Sequence, residues 1–204
     1  MRTWSADELR RFLRHVEHDR LYAAWRFTAM TGVRRGELLG LRWRDLSLDG
    51  DPPRATIAET LIGARETSTP KTRAGQRSID LDPKTVAVLR THRKRQAEER
   101  LALGPAYEDR NLVFCAADGP PLWPRTFSRT FDRHAAGAGL PRIPLKDLRH
   151  THATLLLANG VSPKVIRERL GHADITITLR VYAHAIPAMH AEATAKAAAL
   201  IDRV

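Results

Sequence analysis

Six side chains of types that act on phosphate esters stand at the ends of predicted helices and turns, where rigid elements can direct them to one point. They are Arg34, Lys71, Lys146, Arg149, His172 and Tyr182. The planar guanidinium of arginine binds two phosphate oxygens at once and stays charged at neutral pH. Lysine, histidine and a phenol transfer protons or form covalent bonds in catalysis. The set is therefore suited to chemistry at a phosphate.

Helical spacing gives some of these residues neighbours on the same face. Glu37 follows Arg34 by three residues, and we expect its carboxylate to hold the guanidinium from the same side of a helix. Lys146 and Arg149 are separated by the same interval and share a face in the same way. Each pair is therefore predicted to point towards one site.

Histidine and cysteine do not form a metal site in this sequence. His150 and His152 lie two positions apart, which puts them on different helix faces, so we interpret both as structural or supporting side chains. Cys115 is the single cysteine, so neither an internal disulfide nor a thiolate cluster can form. We expect no metal and no cofactor.

Hydrophobic periodicity predicts a mainly α chain with a small antiparallel β-sheet, an α+β fold. Ser5 and Glu8 form a capping box before the first helix, and a second helix stops at Gly32. Further helices are predicted at about 35–41, 83–101, 124–138, 146–159, 163–171 and 187–201, with strands at 55–57, 77–81 and 112–114. Aromatic residues predicted to lie in the core are Trp43, Trp123, Phe127 and Phe131.

The charge balance favours a polyanionic partner. Lysine and arginine total 34 against 23 acidic residues, a net charge of +11, and phosphates neutralised by such a surplus release counterions. A solvated basic surface would give the same count. Aromatic residues make up 6% and do not alternate with basic ones, which argues against a platform for stacking single strands. Duplex DNA is the expected partner.

Nothing in the sequence points to a membrane. Its longest apolar run, 155–158, is far shorter than a bilayer span, and the segment after Met1 leads directly into a polar amphipathic helix. Together with the single cysteine, these features favour the cytoplasm.

In order and spacing, the six residues resemble the catalytic domain of the tyrosine recombinase, or phage integrase, family. The matching motifs are an arginine box (TGVRRGELLGLRW, Thr31 to Trp43), a β-hairpin lysine, an H/K-x-x-R box (KDLRHTHAT, Lys146 to Thr154), an LGH box and a tyrosine about ten residues later. The match spans nearly the whole chain. It implies the fold of that DNA breaking-rejoining domain and a single catalytic domain over 1–204.

The resemblance also implies a reaction, site-specific DNA recombination or integration without metal or ATP. Tyr182 would attack a DNA phosphate and leave a 3′-phosphotyrosyl link with a free 5′-hydroxyl. Arg34 and Arg149 would stabilise charge on the non-bridging oxygens, and His172 would hydrogen-bond one of them. Lys71, on the hairpin, would protonate the departing 5′-oxygen.

Other positions carry less defined expectations. The first position of the H/K-x-x-R box is more often His; Lys146 can act as a base only if its pKa is lowered, and otherwise serves as a charge on the phosphate. Arg73 and Lys84 compete with Lys71 for the hairpin role. Side chains expected to contact DNA are Arg35, Arg73 and Arg77, and those expected to support the site are Glu37 and His150.

Two alternatives remain open. The segment from Gly160 to Asp174 resembles a helix-turn-helix, so the chain could be a regulator that binds DNA without cutting it. A relaxation activity like that of the type IB topoisomerases would use the same chemistry.

The resemblance also bears on assembly. Family members carry an N-terminal core-binding domain, which we expect to be missing from this chain. A homotetramer on synapsed DNA, built in part by the alanine-rich segment 187–201, and a monomer when free are the expected states.

Overall fold

The computed structural model describes residues 2–62, 66–68 and 76–171. Within these ranges it contains the helices α1 (Ala6–His15), α2 (Tyr22–Thr31), α3 (Arg35–Gly40), α4 (Pro83–Leu103), α5 (Pro124–Gly137), α6 (Leu148–Ala158) and α7 (Pro163–Leu170). The strands are β1 (Leu46–Ser47), β2 (Arg54–Ile57), β3 (Thr60–Ile62), β4 (Glu66–Ser68) and β5 (Arg77–Asp80). The predicted mainly helical fold with a small antiparallel sheet is confirmed.

Local signals in the sequence explain where several helices begin and end. Ser5 and Glu8 form the capping box of α1, with each side chain bonded to the other residue's backbone N–H. The Asp82 carboxylate accepts from the Thr85 backbone N–H at 3.0 Å, and Pro83 occupies the first turn of α4. Gly32 ends α2 in the left-handed conformation, φ 65°.

The strands form two separate antiparallel units. One sheet has the order β1-β2-β5, and its register pairs Ala55 with Ile79 and Ile57 with Arg77. The other is the β3–β4 pair. Strands β1, β3 and β4 are too short to give a periodic signal and were not predicted. The strand predicted at 112–114 is wrong, because Leu112 forms only an isolated bridge with Arg42.

The core gathers around α2. The Trp25 ring stacks on Phe127 with centroids 4.2 Å apart, and Phe12 packs against both Trp25 and Phe131. Trp123, by contrast, is 64% exposed, so its predicted place in the core is wrong. It precedes Pro124 at the start of α5, one turn before the buried face of that helix begins.

Helices α6 and α7 bring the LGH box close to the arginine box at the end of α2. Ile166 and Leu170 of α7 pack on Ala153 and Leu157 of α6. At the end of α2, a Cβ on Gly32 would lie 2.6 Å from Leu170 Cδ2, and the φ of 65° is one that residues with a side chain rarely adopt, so glycine suits this close approach. The arginine box and the LGH box therefore meet although they are far apart in sequence. None of the described helices has the length and apolarity needed to cross a membrane.

Candidate active site

Arg34 stands immediately before α3, with its side chain 47% exposed. Its Nη1 donates to Glu37 Oε1 at 2.8 Å, and its backbone N–H donates to Glu37 Oε2 at 2.8 Å. Its Nη2 donates to the carbonyl oxygen of Gly171 at 3.2 Å. The guanidinium is thus held on one side by a carboxylate and reaches the end of α7.

Arg149, in the first turn of α6, is buried, with 7% of its surface exposed. It donates to the carbonyl oxygen of Gly32 at 2.8 Å and also to that of Leu170. Burial first, and then the charge of Arg34, lower the pKa of Arg149 to about 9. It therefore remains charged at neutral pH, and the negative charge of Glu37 partly opposes the lowering of its pKa.

Three arginines converge on three consecutive carbonyl oxygens at the end of α7. Arg77 Nε donates to the carbonyl oxygen of Arg169 at 2.8 Å, Arg149 donates to that of Leu170, and Arg34 donates to that of Gly171 at 3.2 Å. Carbonyl groups at a helix C-terminus carry partial negative charge and attract cations. The two arginines predicted for the site, Arg34 and Arg149, are therefore brought to one place.

Glu37 connects two of these arginines. It is 4% exposed, and besides Arg34 it accepts from Arg77, at 3.2 Å to Oε1 and 2.8 Å to Oε2. Burial alone would raise the pKa of Glu37, but the hydrogen bonds and charge of Arg77, followed by those of Arg34, bring it below the usual value. Glu37 is therefore an ionised carboxylate that both arginines share.

Arg77 itself lies against the site and not on an open surface. Its side chain is 6% exposed and bonded to Glu37 and to α7. The expected contact with DNA does not fit this position, because a buried guanidinium bonded to a carboxylate is not presented to a phosphate backbone. Its geometry fits a positioning role.

An open cleft of about 630 Å³ lies in front of the two converging arginines. The described cationic side chains that line it are Arg34, Arg35, Lys146 and Arg149, accompanied by His150 and one carboxylate, Asp132. Lys146 is exposed in a 3₁₀ turn, Leu145–Asp147, directly before α6. The excess of positive charge makes the cleft a receptor for an anion.

Two further side chains form the wall of this cleft. Arg35 Nη1 donates to Ser128 Oγ at 2.8 Å and to the Pro124 carbonyl oxygen at 3.3 Å, which ties α3 to α5. His150 lies 3.9 Å from Asp147, and burial lowers its pKa. His150 thus faces the cleft beside Arg149, whereas its neighbour His152 points to the interior.

His152 is buried behind the arginines. Its Nδ1 donates to the Ala29 carbonyl oxygen at 3.0 Å, and its Nε2 accepts from Arg169 Nε at 3.4 Å. Burial lowers the pKa of His152 to about 4, so the ring is neutral at pH 7. It helps to fix the contact between α2 and α7.

Four of the expected residues, Lys71, Arg73, His172 and Tyr182, lie outside the described residues. His172 follows Gly171 directly in the chain. The competitor Lys84 lies on α4 and lines a different groove, together with His18 and His92. It is not part of the cleft that holds the arginines.

The model of the phage integrase family matches residues 2–189 of the sequence. The chain belongs to the phage integrase family. A tyrosine recombinase XerC-like protein of Caldanaerobacter subterraneus subsp. tengcongensis is 32% identical over 198 residues, and the ICEBs1 integrase of Bacillus subtilis is 30% identical over 192 residues. The alignments cover 91% and 92% of this integrase-family chain and 51% of each relative, so the chain spans about half of their length.

Solved structures of integrases and recombinases have the same fold. XerA recombinase aligns with a TM-score of 0.75 at 24% identity, over 94% of this chain and 63% of that one. The Tn1549 transposon integrase, solved in complex with transposon right end DNA, aligns with a TM-score of 0.79 at 23% identity, over 94% and 64%. The fold expected from the resemblance is confirmed.

The sequence did not reveal the positions of Arg77 and Arg169 in this integrase-family chain. Arg169 Nη2 donates to the Met30 and Asp80 carbonyl oxygens, at 3.1 and 3.3 Å. A signal existed for Arg77. Side chains alternate along a strand, so Arg77 shares the face of the buried Ile79 and had to point inward.

Proposed function

We propose that the chain is the catalytic part of a site-specific DNA recombinase or integrase that cleaves and rejoins duplex DNA through a 3′-phosphotyrosyl intermediate. One observation carries the proposal: the guanidiniums of Arg34 and Arg149 meet at the end of α7, beside an open cationic cleft. Membership of the phage integrase family gives this geometry its chemical meaning. We further propose that residues 1–204 form one catalytic domain.

The two arginines suit the charge that develops on the phosphate. A phosphodiester under attack carries negative charge on its two non-bridging oxygens, and preorganised cations stabilise that charge strongly in a site shielded from water. Arg34 is held by Glu37, and Arg149 by the carbonyl oxygens of Gly32 and Leu170. Both guanidiniums are thus held in place by contacts within the protein before a phosphate binds. Lys146, on the same cleft, adds a third positive charge.

The remaining steps rest on the resemblance. Tyr182 gives its phenolic proton to a general base as its oxygen forms a bond to phosphorus. The bond from phosphorus to the 5′-oxygen breaks, and Lys71 gives its own proton to that departing oxygen. His172, next to Gly171 in sequence, hydrogen-bonds a non-bridging oxygen. Rejoining reverses these changes with another 5′-hydroxyl. The covalent link conserves the bond, so no ATP is needed.

The proposed partner is duplex DNA. The net charge of +11 supports it, as does the Tn1549 integrase structure, which was solved in complex with transposon right end DNA. Arg35 lines the cleft and is the described residue best placed to contact the backbone beside the cleaved phosphate. A homotetramer on synapsed sites, a monomer when free, and a cytoplasmic location complete the proposal.

Adduct formation tests the proposal directly. A pool of nicked suicide duplexes of randomised sequence traps a tyrosyl intermediate, because the short fragment that bears the freed 5′-hydroxyl diffuses away. The full chain is expected to form an adduct that resists denaturation, in buffer with chelator and without ATP. The matched variant Tyr182→Phe is expected to form none.

Other results would assign the chain differently. An adduct that persists in Tyr182→Phe rules out this nucleophile. Duplex binding without any adduct would favour a regulator that uses α6 and α7 as a helix-turn-helix. Relaxation of supercoiled DNA without strand exchange between two duplexes would favour a topoisomerase-like activity. A requirement for magnesium would indicate a metal-dependent nuclease.

A further inference from the structure

Arg77 holds three parts of the protein together at the back of the cleft. It lies on β5, paired with Ile57 of β2. Its two Nη atoms bond both oxygens of Glu37, and its Nε bonds the carbonyl oxygen of Arg169 in α7. One side chain thus fixes the sheet, α3 and α7 relative to one another.

The two parts that Arg77 joins are those that hold Arg34. Glu37 Oε1 accepts from Arg34 Nη1, and Glu37 Oε2 from the Arg34 backbone N–H. The carbonyl oxygen of Gly171, two residues after that of Arg169, accepts from Arg34 Nη2. A shift of either part would move the guanidinium that faces the cleft.

We propose that Arg77 is a positioning residue for strand cleavage. It holds Glu37 and the end of α7 in place, and these two parts in turn place the Arg34 guanidinium where it can bind the phosphate. The inference rests on the proposed function. Arg77 does not contact DNA in this account, since its side chain is 6% exposed. A displacement of about 1 Å at a reacting group can lower a rate by about 100-fold, so a residue behind the site can matter as much as one in it.

The charge of Arg77 also keeps its partner ionised. Burial raises the pKa of Glu37, and Arg77 provides the largest opposing contribution through its hydrogen bonds and its charge. A neutral residue at position 77 would leave a buried carboxylate with fewer partners. Lysine would keep the charge but lose the fork that spans both carboxylate oxygens.

A double-mutant cycle of the full chain tests this role. Arg77→Met is expected to slow single-turnover adduct formation about 100-fold with little change in duplex affinity, and Arg77→Lys is expected to recover part of the loss. In the Arg34→Ala background, Arg77→Met should cost no more than about twofold, because the residue through which it acts is already missing. Equal losses in both backgrounds would overturn the inference.

Arg54→Met is the matched control. Arg54 belongs to the neighbouring strand β2, and its pair with Asp80 is exposed, at 2.8 Å. The substitution removes the same charge from the same sheet, and the rate is expected to stay within about twofold. If Arg54→Met slows cleavage as much as Arg77→Met, the effect comes from the sheet or its charge and the inference fails.

Hydrogen exchange at the Arg34 backbone N–H provides a readout that does not need activity. This N–H donates to Glu37 at 2.8 Å, so it should be protected in the unmodified chain. Arg77→Met is expected to speed its exchange about tenfold or more relative to the core amides of α2, and Arg54→Met to leave it unchanged. Unchanged exchange in Arg77→Met overturns the proposed positioning role, whether or not the chain forms an adduct. Faster exchange in a chain that forms no adduct refutes only the proposed function.

Discussion

Arg20 is partly buried and Arg149 is buried, and their surroundings shift their pKa values in opposite directions. Arg20 is bonded by two nitrogens to Glu99, at 2.7 and 2.6 Å, and this carboxylate raises the pKa of Arg20. Arg149 is bonded to carbonyl oxygens, and burial together with Arg34 lowers its pKa to about 9. Arg20 is paired directly with a carboxylate, whereas Arg149 lines a cleft with excess positive charge.

This difference distinguishes an arginine that stabilises the fold from the arginines of the candidate site. An arginine bonded to a carboxylate is not in itself a site, because the partly buried pair of Arg20 and Glu99 only ties α4 to the start of α2. Like charges held together beside an open cleft cost stability unless an anion joins them. Arg34 and Arg149 differ from the pair of Arg20 and Glu99 because they line an open cleft together with Arg35 and Lys146, where the described lining has one carboxylate, Asp132.

The largest effect is expected from replacing Arg149 by lysine. Lysine keeps one charge but cannot bridge Gly32, Leu170 and a phosphate, so adduct formation should fall by about 100- to 1,000-fold. Single-turnover cleavage measures this loss. Arg20→Lys is the control and should cleave within about twofold of the unmodified chain when corrected for the folded fraction. Comparable losses in the two variants would erase the distinction between the clusters.

The Arg20 cluster should affect stability instead. Glu99→Gln removes the charge that Arg20 requires, and we expect the free energy of unfolding to fall by about 1–3 kcal/mol. Urea denaturation followed by circular dichroism measures the change. Adduct formation by the folded protein should be unaltered, and a slowed reaction at full folding would assign this cluster a part in catalysis.

Each arginine cluster has a buried histidine behind it, and these histidines should make the free energy of unfolding depend on pH. Burial lowers the pKa of His92 and of His152 to about 4 in the folded chain, against about 6.5 when unfolded. Between these values the unfolded chain binds more protons, so stability is lost as the pH falls from 6.5 towards 4. Each histidine contributes up to about 1.4 kcal/mol per pH unit to this loss of stability.

The histidine variants isolate this contribution. Unfolding of His152→Gln and His92→Gln between pH 5 and 6.5 is expected to depend less steeply on pH than that of the unmodified chain. The carboxylates with lowered pKa values, Glu37 among them, change little in this window. An identical slope in all three proteins would mean that the two rings bind protons equally in the folded and the unfolded chain, so that burial does not lower their pKa values.

The smallest effect concerns the salt dependence of DNA binding. Arg35→Gln, at the wall of the cleft, should reduce the slope of log affinity against log salt by about one, since one phosphate contact is lost. Arg100→Gln, beside Glu99 on α4 and paired with Asp109, should leave the slope as it is. Fluorescence anisotropy at several salt concentrations distinguishes the two, and equal slopes would remove Arg35 from the interface.

Much of the fold could be predicted because its signals are local. Ser5, Glu8, Gly32 and Asp82 mark helix ends through contacts with residues close in sequence. The short strands β1, β3 and β4 depend on partners elsewhere in the chain, and the Leu112 segment is buried without becoming a strand. Trp123 shows the same limit, since its size predicted burial while its place before α5 leaves it exposed.

The candidate site could likewise be predicted only where its signals are local. Residue types and spacing pointed to Arg34, Arg149 and Glu37, because each belongs to a short motif. The end of α7 as the meeting point of three arginines could not be predicted, since the contact of Gly32 with Leu170 forms only in the folded chain. Alternation along β5 indicated that Arg77 points inward, but its partner there, Glu37, could not be predicted, because the two residues meet only in the folded chain.

A methylphosphonate at the cleaved position tests most directly whether Arg34 and Arg149 neutralise the phosphate. Replacing one charged oxygen by a methyl group lowers the charge that the arginines must stabilise. Adduct formation by Arg34→Ala and Arg149→Ala should therefore recover about tenfold or more on this duplex, while Tyr182→Phe stays inactive. If both arginine variants remain as impaired on methylphosphonate as on phosphate, although the unmodified chain cleaves both, the two guanidiniums do not act on that charge and the account is wrong.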